Sequence, residues 1–152
     1  RRVVILAAED IGMADPMALP MAVACQQAVH FVGMPEGRIP LAETTVYLAT
    51  APKSNAAYMG LTEALQDVRQ GKNEAVPLHL RNAPTDLMRN LGYARGYMYS
   101  HNYEGHFKKQ DFLPKGLQGK KYYDPSNQGY EQQVLERLQT WWEAHKDTDK
   151  RG

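Results

Sequence analysis

Residues 17–32 read Met17-Ala18-Leu19-Pro20-Met21-Ala22-Val23-Ala24-Cys25-Gln26-Gln27-Ala28-Val29-His30-Phe31-Val32, and only Gln26, Gln27 and His30 among them are strongly polar. A segment this apolar on every side is a helix buried in a bundle or held against another subunit. Asp15-Pro16 supplies the start, an acceptor side chain followed by a proline at the first helical position. Gly33 supplies the end, with Pro35 just beyond. Pro20 lacks the N–H that would bond the Pro16 carbonyl, so a distorted first turn is expected.

On either side the pattern stays helical. Val3 to Ala8 is a short apolar segment that stops near Gly12. Pro40 to Ala51 predicts a helix with Leu41, Thr44, Thr45 and Leu48 along one side, stopped by Pro52. Ser54-Asn55 caps a fourth helix ending at Gly71, with Tyr58, Leu61, Leu65 and Val68 at the spacing of a single face. A short helix from Pro84 to Leu91 closes on Gly92. The last, Tyr130 to His145, carries Val134, Leu138, Trp141 and Trp142 on a stripe, and the tail Asp147 to Gly152 is expected to fray. The helix starts share no period, which excludes a solenoid, and no strand-like alternation stands out. The expected fold class is all-α: a single-domain helical bundle with a body over residues 1–91, an irregular basic and aromatic region over 92–128 and a closing helix over 129–146.

Composition narrows the function classes. The 152 residues are 43% hydrophobic and 23% charged, ordinary for a globular chain and unlike a disordered one. A net charge of +1 provides no whole-molecule field for nucleic acid or membrane. Cys25 is the sole cysteine, so a disulfide scaffold is excluded and a reducing, cytoplasmic location is expected. The apolar stretch Ala14 to Cys25 is interrupted by Asp15, Pro16 and Pro20 and is too short for a bilayer span, so no membrane partner is expected. The chain starts at Arg1 without a Met, already inside an apolar pattern, which suggests a piece of a longer protein.

Catalytic signatures are missing. Gly71-Lys72 runs into Asn73 and Gly119-Lys120 into Lys121, so neither completes a phosphate-binding loop. Cys25 sits in the most apolar helix with no charge nearby to activate it. His101 and His106, with Glu104 and Asp111, lack the spacing of a helical metal pair, and surface histidines in a loop explain them as well. The expectation is a non-enzymatic chain with no catalytic residue, no metal site and no cofactor of its own.

Charge is uneven. Residues 92–123 carry six basic and two acidic side chains and six of the nine tyrosines. Arg81, Arg95, Lys108, Lys109, Lys120 and Lys121 are candidate phosphate contacts, and Tyr97 and Tyr99 candidate stacking partners for unpaired bases. The same residues also suit a long loop anchored by its tyrosines and solvated by its lysines. On the helices, Met17, Met21, Val29 and Val32, with Tyr58, Leu61 and Leu65, are the candidate oligomer contacts.

Several short stretches then coincide in order. Ala8-Glu9-Asp10-Ile11-Gly12, Ala14-Asp15-Pro16 and Tyr47-Leu48-Ala49-Thr50-Ala51-Pro52-Lys53-Ser54-Asn55 with Tyr58 are followed by Val76-Pro77-Leu78-His79-Leu80-Arg81. Gly92-Tyr93 with Gly96-Tyr97, Leu113-Pro114 and Lys121-Tyr122-Tyr123 continue the series. Together they resemble the C-terminal domain of the RarA/MgsA family, bacterial replication-associated recombination AAA+ ATPases related to Werner-helicase-interacting protein. Pro20 departs from that pattern, where a helix former is expected. The resemblance implies a helical domain similar to clamp-loader collars, holding a homotetramer. It also implies that ATP and Mg belong to an N-terminal part outside this chain. Its further implications are DNA-dependent ATPase action in fork rescue, recombination and repair, with DNA and single-stranded-DNA-binding protein as partners and a nucleoid-associated cytoplasmic location.

Overall fold

Alanine at positions 7, 14, 18 and 22 lets helices approach closely, and the fold is built on that approach. In the computed structural model, which describes residues 1–71 and 74–143 (for Glu143, the backbone only), all regular structure is helical. Six α-helices are described: α1 Arg2–Leu6, α2 Ala18–Val32, α3 Arg38–Thr50, α4 Ala56–Arg69, α5 Asp86–Asn90 and α6 Tyr130–Glu143. The closing helix beyond Glu143 and the frayed tail expected from the sequence lie outside the described residues.

The described residues pack as two compact units, Arg1–Ala64 with Tyr122–Gln139, and Leu65–Lys121 with residues 140–143. In the first, α1 continues through a π-helical turn, Ala7–Ile11, and a 3-10 turn, Gly12–Ala14. The five residues from Gly33 to Gly37 join α2 to α3 as a helical hairpin. Ala7, Ile11, Ala18, Ala22 and Leu48 form the core, with Val3, Val4, Tyr47 and Ala51 packed on it. The Cys25 thiol donates to the Pro40 carbonyl at 3.4 Å, which accounts for its buried place without reactivity.

The helix ends follow local chemistry. The Asp15 carboxylate accepts from the Met17 N–H at 3.0 Å and from the Tyr47 hydroxyl at 2.7 Å, which raises the Tyr47 phenol above its ordinary range. Helix α2 starts at Ala18, later than the expected start beside Pro16. This later start removes the expected distortion at Pro20: its missing N–H falls in the first turn, where donors have no intrahelical acceptor anyway. Gly33, at φ 78°, ends the helix as expected. The Lys53 ammonium donates to the Leu48, Ala49 and Ala51 carbonyls at 3.2, 3.4 and 3.0 Å, capping the negative end of α3. The Ser54 hydroxyl accepts from the Ala56 N–H at 3.2 Å and starts α4.

Close backbone approaches fix the return of the chain. Gly60 in α4 is buried, and a Cβ there would sit 2.4 Å from the Tyr122 carbonyl oxygen. The added methyl would gain up to ~1 kcal/mol of helix propensity and lose more to that collision, so glycine is the better residue.

The second unit is organised differently. Asp67 is the one buried residue among those described there, and it pairs with Lys120. The Thr85 hydroxyl accepts from the Met88 N–H at 3.3 Å and caps α5. Phe107 stacks on Trp141 with centroids 5.1 Å apart and planes at 11°, and meets Trp142 edge-on at 5.8 Å. The residues between 92 and 121 form short 3-10 turns, at Ser100–Asn102, Glu104–His106 and Lys115–Leu117.

Candidate interaction surfaces

Small side chains that pack inward leave larger ones facing out. On α2 only Ala18, Ala22 and Cys25 are buried, at the i, i+4, i+7 spacing of an inward face. The outer side carries Leu19, Val23, Phe31 and Val32, and Phe31 is 90% exposed. Met34 in the hairpin turn and Ile39 at the start of α3 are 70% and 64% exposed, so the turn and its flanks form an apolar tip, and Val46, two turns further along α3, is 64% exposed.

Of the residues singled out from the sequence, Met17, Val32, Tyr58, Leu61 and Leu65 are exposed, whereas Met21 and Val29 are half-buried. Val29 continues the inward face of α2 and lines a cavity of about 360 Å³ with Val3, Val4 and Leu41. A charge placed at Val29 therefore probes the inside of this unit, and one at Phe31 probes its outside. Periodicity passed over Phe31 because a helix apolar all round has no distinguishable outer face, over Ile39 and Val46 because they stand off the Leu41, Thr44, Thr45 and Leu48 side of α3, and over Met34 because it lies in the turn.

The basic region divides into two sites. Lys109, Lys120 and Lys121 line a pocket of about 470 Å³ together with Phe112, Leu113 and Trp142. The Lys109 ammonium lies 5.9 Å from the Trp142 ring centroid. Arg81 and Arg95 line a different cleft of about 840 Å³. Arg81 is engaged within the chain: Nε donates to the Val76 carbonyl at 2.6 Å, Nη1 donates to the Tyr93 hydroxyl at 3.2 Å, and the guanidinium lies 5.2 Å from that ring's centroid. Lys108 lies 5.2 Å from the Tyr103 ring centroid. Tyr97 and Tyr99 are exposed and line neither cavity, and Tyr99 contacts the His101 ring at 5.1 Å. His101 and His106 rings also meet at 5.1 Å, and among the described residues no three His, Cys, Asp or Glu side chains gather as metal ligands would.

Two buried anions escaped sequence reading, Asp67, which pairs with Lys120, and Glu131. Glu131, in the first turn of α6, is fully buried and accepts from the Tyr123 hydroxyl and the Ser126 N–H, each at 2.8 Å. Burial alone would raise its pKa, but hydrogen bonds from Ser126, Ser54 and Tyr123 outweigh that and hold it below the ordinary carboxylate range. Burial and the bond to Glu131 push the Tyr123 phenol upward. This network fastens Tyr123 to α6. The only signal in the sequence was a glutamate in the first turn of a helix, which reads as solvated.

No helix among the described residues is long and apolar enough to cross a membrane. Comparison with known proteins supplies the family. The chain is 42% identical over 98% of its length to "Replication-associated recombination protein A" of Coxiella burnetii, covering 35% of that protein. It is 40% identical over 97% of its length to the protein of the same name from Escherichia coli K12, covering 33% of it. It is 42% identical over 82% of its length to "ATPase WRNIP1" of Dictyostelium discoideum, covering 14% of that protein. The chain thus spans about a third of the bacterial relatives it matches. Residues 1–142 match the family described as "MgsA AAA+ ATPase C terminal", and the chain belongs to that family as its C-terminal domain.

Proposed function

We propose that this chain is a non-catalytic assembly domain that holds a DNA-dependent AAA+ ATPase as a homotetramer during replication-associated recombination and fork rescue. The observation that carries the reading is the uncovered apolar surface of the α2–α3 hairpin, where Phe31 is 90% exposed and Met34, Ile39 and Val46 are 70%, 64% and 64% exposed. Contiguous apolar surface left in water marks a site of association. The apolar tip at Phe31, Met34 and Ile39, with Val46 further along α3, is the surface to cover. Self-association there would fix the geometry and local concentration of attached ATPase modules. ATP and Mg then act outside this chain, which holds no cofactor of its own, and the location is cytoplasmic, at the nucleoid.

Light scattering behind a sizing column tests it, with a tetramer expected at four times 17.2 kDa, about 69 kDa. Phe31→Asp with Ile39→Asp is expected to weaken association at least a hundredfold with the helical circular dichroism unchanged. A 17.2 kDa species from the unaltered chain, or an unchanged mass in the double variant, contradicts the reading.

A second reading has its own observation, the gathering of Lys109, Lys120 and Lys121 around Phe112 and Trp142 in one pocket. Lysines beside open aromatic faces suit single-stranded or junction DNA. Replacing Lys109 and Lys121 by glutamine, with Lys120 left to its pair with Asp67, is expected to weaken oligonucleotide binding by tenfold or more and to flatten its salt dependence. Binding that keeps both affinity and salt slope sinks this reading. DNA and single-stranded-DNA-binding protein are the partners it proposes.

A further inference from the structure

The lysine pocket of the second unit, about 470 Å³ in volume, gathers more chemistry than contact with phosphates alone requires. Phe112 and Trp142 are 55% and 44% exposed, so two large rings stand open to an occupant. Lys109 and Lys121 supply its positive charge, since Lys120 is paired with Asp67. The Asp111 carboxylate lines the same pocket, with Oδ2 accepting from the Gln118 amide at 3.4 Å. Rings, cations and one carboxylate in a single cavity match the base face, the phosphates and the base edge of a nucleotide.

We infer that this pocket binds a free guanine nucleotide carrying a 5′-diphosphate. The base lies against Phe112 and Trp142, and stacking by itself accepts any base. The diphosphate goes to Lys109 and Lys121, whose ammonium groups make charge-assisted hydrogen bonds. Asp111 then selects the base. An ionised carboxylate only accepts, through two oxygens set side by side. Guanine alone among the common bases presents two adjacent donors, N1–H and the N2 amine, along its pairing edge. Adenine sets an acceptor beside its amine, so one carboxylate oxygen would face a lone pair. That difference sets the site apart from ATP binding.

Size favours a single nucleotide as the occupant. The volume lies toward the lower end of small-molecule pockets, roughly 300–1,000 Å³. A single-stranded site tracks successive phosphates along a groove. A strand would place one nucleotide here, and its phosphodiesters lack the terminal charge that two lysines take up. The walls are braced from within. Gln110 Nε2 donates to the Met98 carbonyl at 2.8 Å, its Oε1 accepts from the Met98 N–H at 3.4 Å, and Phe107 meets Trp142 edge-on. Gly119, at φ 78°, turns the chain between Gln118 and Lys120, and a Cβ there would meet nothing within 4 Å. A pre-formed pocket spares the ligand much of the ordering cost of binding. The nucleotide shares this pocket with the strand reading without resting on it, and where both bind they compete.

Fluorescence anisotropy of the 152-residue chain with N-methylanthraniloyl-labelled guanosine diphosphate tests the inference. Unlabelled guanosine diphosphate is expected to displace the probe at least tenfold more effectively than adenosine diphosphate or guanosine. Lys109→Gln with Lys121→Gln is expected to weaken binding at least tenfold. Asp111→Asn is expected to exchange the preference for xanthosine diphosphate, because xanthine carries a carbonyl acceptor where guanine carries its amine. All three proteins are expected to share one circular dichroism spectrum. A carboxylate that only supported the fold would not produce that exchange, so its absence overturns the inference. Equal displacement by the guanine and adenine nucleotides does the same, as does full binding by the lysine variant or no binding at millimolar guanosine diphosphate. A ten-residue oligonucleotide of guanosine and thymidine that displaces the probe at least tenfold better than guanosine diphosphate overturns it in favour of a strand. The strand reading is scored on thymidine oligonucleotides, whose binding Asp111→Asn leaves in place, so either can fail without the other.

Discussion

Gly129→Val is expected to destabilise the chain by roughly 3–5 kcal/mol, enough to leave a marginally stable domain largely unfolded. Two causes add. The glycine holds φ at 52°, a left-handed conformation that a β-branched residue rarely adopts. Its Cβ would also lie 2.1 Å from the Ala14 carbonyl oxygen and 2.7 Å from Pro52 Cγ. Neither neighbour can yield cheaply. Ala14 lies on the core side of its turn, and Pro52 is a rigid ring at the end of α3. Gly33, at φ 78° and ψ −175°, has no heavy atom within 4 Å of a Cβ, so Gly33→Ala bears the conformational cost alone, roughly 1–3 kcal/mol. Urea denaturation followed by circular dichroism at one fixed protein concentration separates the two. Equal midpoints for the two variants contradict the argument, because the collision is what distinguishes them.

Glu131→Ala carries a comparable penalty, roughly 3–5 kcal/mol, for a different reason. The carboxylate is the acceptor for the Tyr123 hydroxyl and the Ser126 N–H, and hydrogen-bonds Ser54. Its removal leaves buried donors without an acceptor, at about 1–3 kcal/mol each. Glu131→Gln keeps one acceptor oxygen and is expected to lose less. The same bonds predict an acid limb. A carboxyl whose pKa is lower in the folded chain than in the unfolded one stabilises above the ordinary carboxylate range. That contribution drains away as pH falls through the folded value. The urea midpoint of the unaltered chain is therefore expected to fall below about pH 4, and the Gln variant to be flatter over that window. Parallel pH profiles for the two would show that Glu131 does not set the acid limb.

The helices were legible because each is punctuated by residues that act on their own neighbours. Gly33, Pro52, Ser54 and Gly92 stop or start helices within a few positions of where they stand, and α3, α4 and α5 lie close to the expected spans. Pro20 was misjudged by a shift of two residues. A cap's position decides whether a missing N–H costs a bond, and it depends on the Asp15 contacts with Met17 and Tyr47.

The interaction surfaces were legible as lists of residues and not as sites. Composition identified a basic, tyrosine-rich stretch, yet its cations divide between a lysine pocket and an apolar cleft. Arg81, an apparent phosphate contact, spends its donors on Val76 and Tyr93. Side chains far apart in sequence cannot be matched from spacing, because the folded path of the chain sets which of them meet. Asp67 and Lys120 show this plainly, as do Lys109 and Trp142.

Residues 17–32 determined by themselves that a helix forms and that it needs neighbours on more than one side, since hydrocarbon exposed all round a helix is costly in water. Helix ends, the absence of strand periodicity and the likeness to a family likewise rest on short-range pattern, which is local and survives in one dimension. Tertiary structure alone decided that Ala18, Ala22 and Cys25 face inward while Phe31 faces out, that Glu131 is a buried anchor, and that Gly60 and Gly129 are places where backbones touch. Burial and collision are properties of pairs of distant segments. No periodicity within either segment records them.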